Sequence, residues 1–404
     1  MAGKRKRGGA SLEMSLDQDW LFGGKFKEGS DQPRFDDAAF SHVTLPHAVA
    51  KLSWENWKPE SWQDVWIYRR HFQLPENFRN RRVFVDFERV MTTATPVING
   101  YALDEHRGGY LPFSNELTTL LKDGDNVLAL KVDARWQNVP PDGNPKGTAH
   151  VDYLQPGGIP GSVTLRAVPQ IFISDVFAKP VNVLELYRSV EVTCLIDAAL
   201  MPEKPLSVRV DMLDGHKRIA TVSEPLATNK AGVSEIKLTL SNLGNVKLWD
   251  VDAPKLYRVR TTLLMDGHPL HEHHTRIGLR EAKFTADGFF LNGKRLRLFG
   301  LDRHEIYPYA GLAMPGRVMR HDAEILRREF NCNIVRCSHY PQTEAFLDAC
   351  DELGLMVWEE TPGWGYLGDD AWKEQVVQNV HDMILRDRNH PSIIIWGVRV
   401  NESP

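Results

Sequence analysis

The pattern of apolar and polar positions changes period once along the chain, close to Arg280. Before that point it is a pattern of short strands. Val65-Trp66-Ile67-Tyr68-Arg69-Arg70-His71-Phe72 and Arg82-Val83-Phe84-Val85-Asp86-Phe87 alternate at period two, which puts one face of each strand in a core. Asn99-Gly100, after Val97-Ile98, is a hairpin signal, because a two-residue turn of this kind needs positive φ at both central residues. Asp123-Gly124-Asp125 leads into the strand Asn126 to Val132. No long amphipathic helix fits between Leu16 and Val168, so this part predicts a β-sandwich of jelly-roll type. Residues 138–160 are rich in Pro and Gly and predict a long loop, a feature that often carries function.

From Ile171 to Arg280 the pattern is again all β, over about the length of one immunoglobulin-like sandwich. Val190 to Ile196 and Leu206 to Met212 alternate, and Asp214-Gly215 and Asp266-Gly267 mark hairpins. His271, His273 and His274 crowd one expected strand. Adjacent strand residues point to opposite faces, so a solvated strand edge is expected there rather than a metal site.

After Arg280 strands and helices alternate. Leu296 to Leu301 predicts a strand, Arg317 to Phe330 a helix, Asn333 to Cys337 a strand, and Thr343 to Leu353 a helix stopped by Gly354. Leu355 to Glu359 is the third strand. Asp370 to Asp387 is a helix with Asp369 or Asp370 as N-cap. Ile393 to Val400 is a fourth strand, apolar at nearly every position and so buried on both faces. Four β-α units in series predict a parallel sheet.

Composition narrows the class. The 404 residues are 42% hydrophobic and 25% charged, with net charge −4. That is an ordinary globular balance, and it argues against nucleic acid as the partner. No run is long and apolar enough to span a membrane, and Lys4-Arg5-Lys6-Arg7 lacks the apolar stretch of a secretory signal. The expectation is a cytoplasmic protein, or a secreted one if a leader is missing from this N-terminus. Cys194, Cys332, Cys337 and Cys350 show neither metal-ligand nor C-x-x-C spacing and read as buried thiols. The eleven Trp either fill β cores or stack on sugars; composition favours the core.

The candidate chemistry lies where the four strands end. The first ends in Asp302-Arg303-His304-Glu305, the second in Arg336-Cys337-Ser338-His339-Tyr340-Pro341, the third in Glu359-Glu360 with Trp364 beyond, the fourth in Asn401-Glu402. The C-terminal ends of parallel strands are where barrel enzymes keep their active sites. One polar strand end proves little. Four in succession, each with carboxylate, imidazole or guanidinium, point to a site.

Asn333-Ile334-Val335-Arg336-Cys337-Ser338-His339-Tyr340-Pro341, continued by Phe346-Leu347, Asp351, Gly354 and Leu355-Met356-Val357-Trp358, closely resembles the first signature of glycoside hydrolase family 2. Asp387-Arg388-Asn389-His390-Pro391-Ser392-Ile393-Ile394-Ile395-Trp396-Gly397, ending in Asn401-Glu402, resembles the second. The resemblance covers the chain after its tail. It implies a jelly-roll sugar-binding domain over residues 14–168, an immunoglobulin-like β-sandwich over 169–280, and over 281–404 the first half, strands one to four, of a (β/α)8 TIM barrel, after a disordered tail at 1–13.

The activity implied is a retaining exo-β-glycosidase on terminal β-linked sugars, most like a β-galactosidase. Glu402 matches the general acid/base, and Asn401 the residue that binds the sugar 2-hydroxyl. Retaining chemistry needs a second carboxylate about 5 Å from the first. In the family that nucleophile is a Glu on a later strand, expected beyond the end of this chain; Glu359 and Glu360 do not match it. His304 and His339 match sugar-contacting histidines. Arg336 and Glu360 resemble groups that hold the catalytic residues, though a structural ion pair is an equal alternative. Asp152 falls where a first-domain loop reaches the sugar in some members, and Trp364 and Trp396 could stack on sugar faces.

Thr361-Pro362-Gly363-Trp364-Gly365 lacks the Glu-x-His magnesium pair of the large β-galactosidases, so no required metal and no cofactor are expected. The Gly397-Val398-Arg399-Val400 spacer implies a divergent subgroup. A β-glucuronidase stays open, since its Asn-x-Lys mark would lie downstream. So does a non-catalytic carbohydrate-binding or structural remnant, because four strands cannot close a barrel and would expose unpaired edges. The chain alone is therefore expected to be inactive. Carbohydrate is the expected partner, neither nucleic acid nor membrane, with homo-oligomerisation left open.

Overall fold

The computed structural model describes residues 11–53, 58–151, 153–228 and 230–400. Before position 168 the period-two segments pair as two antiparallel sheets. One has four strands, in the order Leu12–Ser15, Val163–Val168, Arg82–Phe87, Phe113–Glu116. The larger is built on the run Trp20–Lys25, Val65–Gln73, Asp125–Asp133, Thr93–Ile98. Their inner faces meet through Trp20, Tyr68, Val85, Phe87, Leu128, Leu130, Val163 and Leu165, all buried. Burial of each such side chain contributes about 1.5–3 kcal/mol. Asn99 (φ 52°) and Gly100 (φ 91°) make the expected turn. The expected tail to residue 13 is corrected: Leu12 and Glu13 belong to an edge strand. Leu12 and Met14 alternate toward the core and pack on it, and that apolar burial orders the segment.

Residues 171–277 form a second sandwich. A sheet of Ile171–Val181, Ser189–Ala198 and Gly232–Leu240 faces one ordered Lys217–Leu226, Leu206–Asp214, Tyr257–Met265, His268–Ile277. Val190, Val192, Cys194 and Ile196 pack on Val208, Val210, Met212 and Leu263. The histidine strand lies on a sheet edge, as expected, but it is not uniformly solvated. His271 is buried: its Nδ1 accepts the Ile173 backbone N–H at 3.2 Å and its Nε2 lies 3.1 Å from Ser11 Oγ. His274 points outward to Glu272, 2.8 Å away.

The third unit is a parallel sheet of β1 (Gly300–Arg303), β2 (Ile334–Cys337), β3 (Met356–Glu360) and β4 (Ile393–Gly397), hydrogen-bonded in that order. Between the strands run α1 (Gly316–Glu324, continued by one wider turn, Ile325–Glu329), α2 (Glu344–Leu353) and α3 (Asp370–Asp387). Gly354 closes α2 at φ 71°, where an added Cβ would run into the Val251 carbonyl. Asp369 caps α3, accepting from Trp372 N at 3.0 Å.

The strand limits shift most at the start of β1 and the end of β4. β1 begins at Gly300, because Leu296 and Leu298 are held away from the ladder, against Trp249, Phe289 and Met356 on the floor of the sheet. β4 ends at Gly397, before Val398. The four cysteines are buried and unpaired, and five Trp (Trp20, Trp62, Trp66, Trp249, Trp372) are core residues. No helix among the described residues is long and apolar enough to cross a membrane.

The units interlock through polar groups, half-buried or buried. Arg388 pairs with Asp175 of the second sandwich. Asn389 donates to Val176 O at 2.9 Å and accepts from Ala178 N at 3.0 Å, continuing the edge of that sheet. His390 Nδ1 and Ser392 Oγ reach Asp351 of α2 at 2.7 and 2.6 Å. The Asp351 carbonyl accepts from Trp249 Nε1 at 2.8 Å. The Arg388-Asn389-His390-Pro391-Ser392 run thus works as a joint between units.

Candidate active site

The C-terminal ends of β1 to β3 bring four of the expected residues into one constellation, and Trp364 joins them. Trp358 and Glu360 share the face of β3 turned from the helices. Arg336, one strand over, lays its guanidinium 5.1 Å from the Trp358 ring. Its Nε donates to Glu360 Oε2 at 2.8 Å and its Nη2 to Oε1 at 3.1 Å, a two-point geometry suited to a planar guanidinium and a carboxylate. Asp302 lies 3.6 Å from Arg336 Nη1. His339 Nδ1 is 2.8 Å from Glu360 Oε1. A carboxylate there makes Nδ1 the protonated nitrogen and leaves Nε2 of a neutral ring as an acceptor. Glu360 is fully buried, so both its oxygens are spent on positioning Arg336 and His339.

An aromatic wall stands above this pair. The His339 ring lies 4.9 Å from Trp364 and 5.3 Å from His304. Tyr153, from the long loop of the first sandwich, closes the ring of contacts at 5.3 Å from His304 and 5.9 Å from Trp364. Its hydroxyl donates to Gly363 O at 3.3 Å. Tyr153 was not among the sequence candidates; its only signal was adjacency to Asp152. Asp152, Asn401 and Glu402 lie outside the described residues.

Two candidates do not face the constellation. Trp396 packs on the core between sheet and helices rather than standing at the mouth to stack on a sugar face. Glu359 points to the same side. Its Oε1 accepts from Gln342 N at 2.9 Å. Burial, with the neighbouring Asp387 carboxylate, pushes it up to about 8; Arg386 and the Gln342 N–H pull the other way. Glu359 is thus a buried group of the interior, turned away from the constellation.

Beneath the wall, the first sandwich grips the barrel. Arg89 Nη1 donates to Glu305 Oε1 at 2.9 Å and its Nη2 to Pro341 O at 2.5 Å. Tyr110 stacks on Tyr340 with ring centres 4.3 Å apart. The 138–160 loop also docks on α3, where Trp372 Nε1 donates to Asp142 O at 2.7 Å. Burial pushes the Asp142 carboxyl up to about 8, opposed by Gln155, which donates to it. The loop is therefore fixed in place and delivers Tyr153 to the site.

Comparison with known proteins agrees with this layout. Three family models match consecutive stretches: the glycosyl hydrolase 2 galactose-binding domain-like model over residues 18–175, glycosyl hydrolases family 2 over 171–280, and the glycosyl hydrolases family 2 TIM barrel domain over 282–404. A β-galactosidase of Thermoanaerobacter pseudethanolicus is 37% identical over 394 residues, 96% of this chain and 52% of its own length. A β-galactosidase of Thermoanaerobacterium thermosulfurigenes is 36% identical over 392 residues, 96% of this chain and 54% of its own. The crystal structure of a Bacteroides uniformis β-glucuronidase superposes with TM-score 0.87 at 26% identity, over 97% of this chain and 47% of that one. The chain spans about half the length of the curated relatives it matches.

Proposed function

Because the chain belongs to glycosyl hydrolase family 2, we propose that it carries the sugar-recognition and acid/base part of a retaining exo-β-glycosidase acting on terminal β-galactosides. The observation that supports this most is the joining of His304, His339 and Trp364 over the Arg336–Glu360 pair at the C-terminal ends of parallel strands. Imidazoles and an indole around one opening suit a sugar, which offers hydroxyls at its edge and C–H bonds on its face.

In this reading Glu402 protonates the departing glycosidic oxygen while a second carboxylate attacks the anomeric carbon, and Glu402 then takes the proton of the incoming water. Asn401 holds the 2-hydroxyl. His304 and Nε2 of His339 receive other sugar hydroxyls, with Glu360 fixing the His339 tautomer. The nucleophile is assigned to a later barrel strand. Glu359 and Glu360 are committed elsewhere, one to the interior and one to Arg336 and His339. The two β-galactosidases favour galactose as the sugar, and the β-glucuronidase superposition keeps a uronic acid as the second reading.

The test is hydrolysis of aryl β-galactoside, glucuronide, mannoside and glucoside by the chain, alone and with a C-terminal half barrel from a relative, with Glu402→Gln as control. Turnover of the galactoside that the control abolishes supports the proposal. Preference for the glucuronide replaces the sugar. No turnover in either form leaves the chain a non-catalytic module and overturns the enzyme reading.

A further inference from the structure

We infer that Arg89, a residue of the first sandwich, is a positioning residue for the barrel-mouth histidines, holding the loop of His304 and the loop of His339 in register from outside the barrel. Arg89 is 1% exposed and Glu305 is fully buried. Glu305 directly follows His304 in the loop that leaves β1. Pro341 stands two positions after His339 in the loop that leaves β2. A single guanidinium touches both, through Nη1 to Glu305 Oε1 at 2.9 Å and Nη2 to Pro341 O at 2.5 Å. The other Glu305 oxygen accepts from Thr343 N at 3.1 Å, so the second loop is held on both sides of Gln342.

The geometry suits positioning better than adhesion alone. Two long flexible side chains at a domain surface give a loose link. A planar guanidinium with its bonds splayed to two loops fixes both distance and angle. Glu305 has a second cation, Arg303, 3.6 Å from its other oxygen, so it keeps a charge partner when Arg89 is replaced. Adhesion has other sources: the Tyr110–Tyr340 stack, the Trp372–Asp142 bond and the Asn138–Asp369 bond also join the first sandwich to the barrel. Tyr153 also touches both loops, through ring contacts with His304 and His339; what Arg89 adds is a hydrogen-bonded, charged bridge between them. The 5.3 Å spacing of the His304 and His339 rings depends on how those loops sit relative to one another. An error of about 1 Å in such a spacing is enough to cost on the order of a hundredfold in rate.

The experiment has two arms, and only the second rests on the glycosidase reading. In the first, the full chain is labelled at its histidine ring nitrogens, and Arg89→Lys and Arg89→Met are compared with the parent by NMR. The expected result is shifted or broadened signals for His304 and His339 in both variants. His271 and His106, which lie on other elements, should keep theirs. Unchanged His304 and His339 signals in folded Arg89→Lys overturn the proposal whatever the chain catalyses. In the second arm, kcat and KM are measured on the aryl β-glycoside that the parent cleaves, well below the melting temperature of each variant. A fall in kcat of roughly 30- to 100-fold with KM within about threefold is expected for Arg89→Met, with partial recovery in Arg89→Lys. A lower melting temperature with kcat unchanged per folded molecule would make Arg89 a structural tie only. If the parent cleaves no glycoside either alone or with the C-terminal half barrel, the functional reading fails while the histidine signals still decide the role of Arg89.

Discussion

Arg336 and Glu360 meet edge to edge, with two parallel N–H···O bonds of 2.8 and 3.1 Å, and the carboxylate shares one of those oxygens with His339 at 2.8 Å. Glu360 is fully buried, so this pair was desolvated on folding, and its strength depends on both partners being present. Glu360→Gln turns one acceptor into a donor facing a guanidinium and leaves Arg336 without its closest counter-charge. A loss of about 3–5 kcal/mol is expected for breaking such a pair, measured by urea unfolding. Removing both partners together, as Arg336→Met with Glu360→Met, should cost clearly less than the sum of the single changes. Additive losses would show that the pair is not coupled.

Tyr153 contributes by both ends. Tyr153→Phe removes the hydroxyl and with it the bond to Gly363 O, about 1 kcal/mol of stability for that bond, and should leave the ring contacts with His304 and Trp364 in place. Tyr153→Ala removes the wall as well, at a cost of about 3–5 kcal/mol. On the glycosidase reading, Tyr153→Ala weakens binding of a galactoside-type inhibitor by an order of magnitude or more, and Tyr153→Phe by less than threefold. Equal effects of the two variants would place the sugar elsewhere.

Asp351 joins the two signature stretches, since it lies in the first and holds His390 and Ser392 of the second. Burial disfavours the His390 cation, yet the Asp351 carboxylate overrides it and raises the imidazole to about 9. A histidine raised in the folded state adds stability that is fully present below its ordinary value of 6.5 and is lost as pH climbs through 9. The third unit, whose α2 is tied to the start of β4 by this pair, should therefore lose stability from about pH 7 to pH 9, seen as a falling melting temperature. Asp351→Asn should be less stable at pH 6 and should flatten that slope. A parent protein whose stability does not fall over this range would show His390 to be uncharged.

Much of the architecture was legible because its signals are local. The N-cap Asp369, the helix stop at Gly354 and the apolar run of β4 each state their role within a few residues, and the order of two sandwiches before a parallel sheet follows from where the period changes. The limits of β1 were not legible. Leu296-Arg297-Leu298 has the composition of a strand, and only the floor residues Trp249, Phe289 and Met356 decide that it packs there instead. In the candidate site, the strand ends announced His304, Arg336, His339 and Glu360. Arg89 gave no sign and Tyr153 only its place beside Asp152, since the partners that give them meaning lie 216 and 210 positions away. Charge at the end of a strand looks the same whether it meets water or a buried glutamate.

His271 offers the opposite pH test to His390. Its ring is buried and takes the Ile173 N–H on Nδ1, which requires a neutral imidazole with the proton on the nitrogen that faces Ser11. Burial, with His273 and the Arg166 and Arg81 guanidiniums adding repulsion, pushes it down to about 4. A histidine lowered in the folded state contributes stability that is present above 6.5 and is lost as pH falls through 4. That separation corresponds to about 3 kcal/mol, and it acts at the junction of the N-terminal edge strand with the second sandwich. His271→Gln, which can keep an acceptor for Ile173 N but cannot gain a proton, should be slightly less stable than the parent at pH 7 and should lose less on acidification to pH 4. Hydrogen exchange at Ile173 N reads the same event locally: its protection should fall with acid in the parent and hold in the variant. An acid response at Ile173 that is identical in both proteins would assign the loss to other groups.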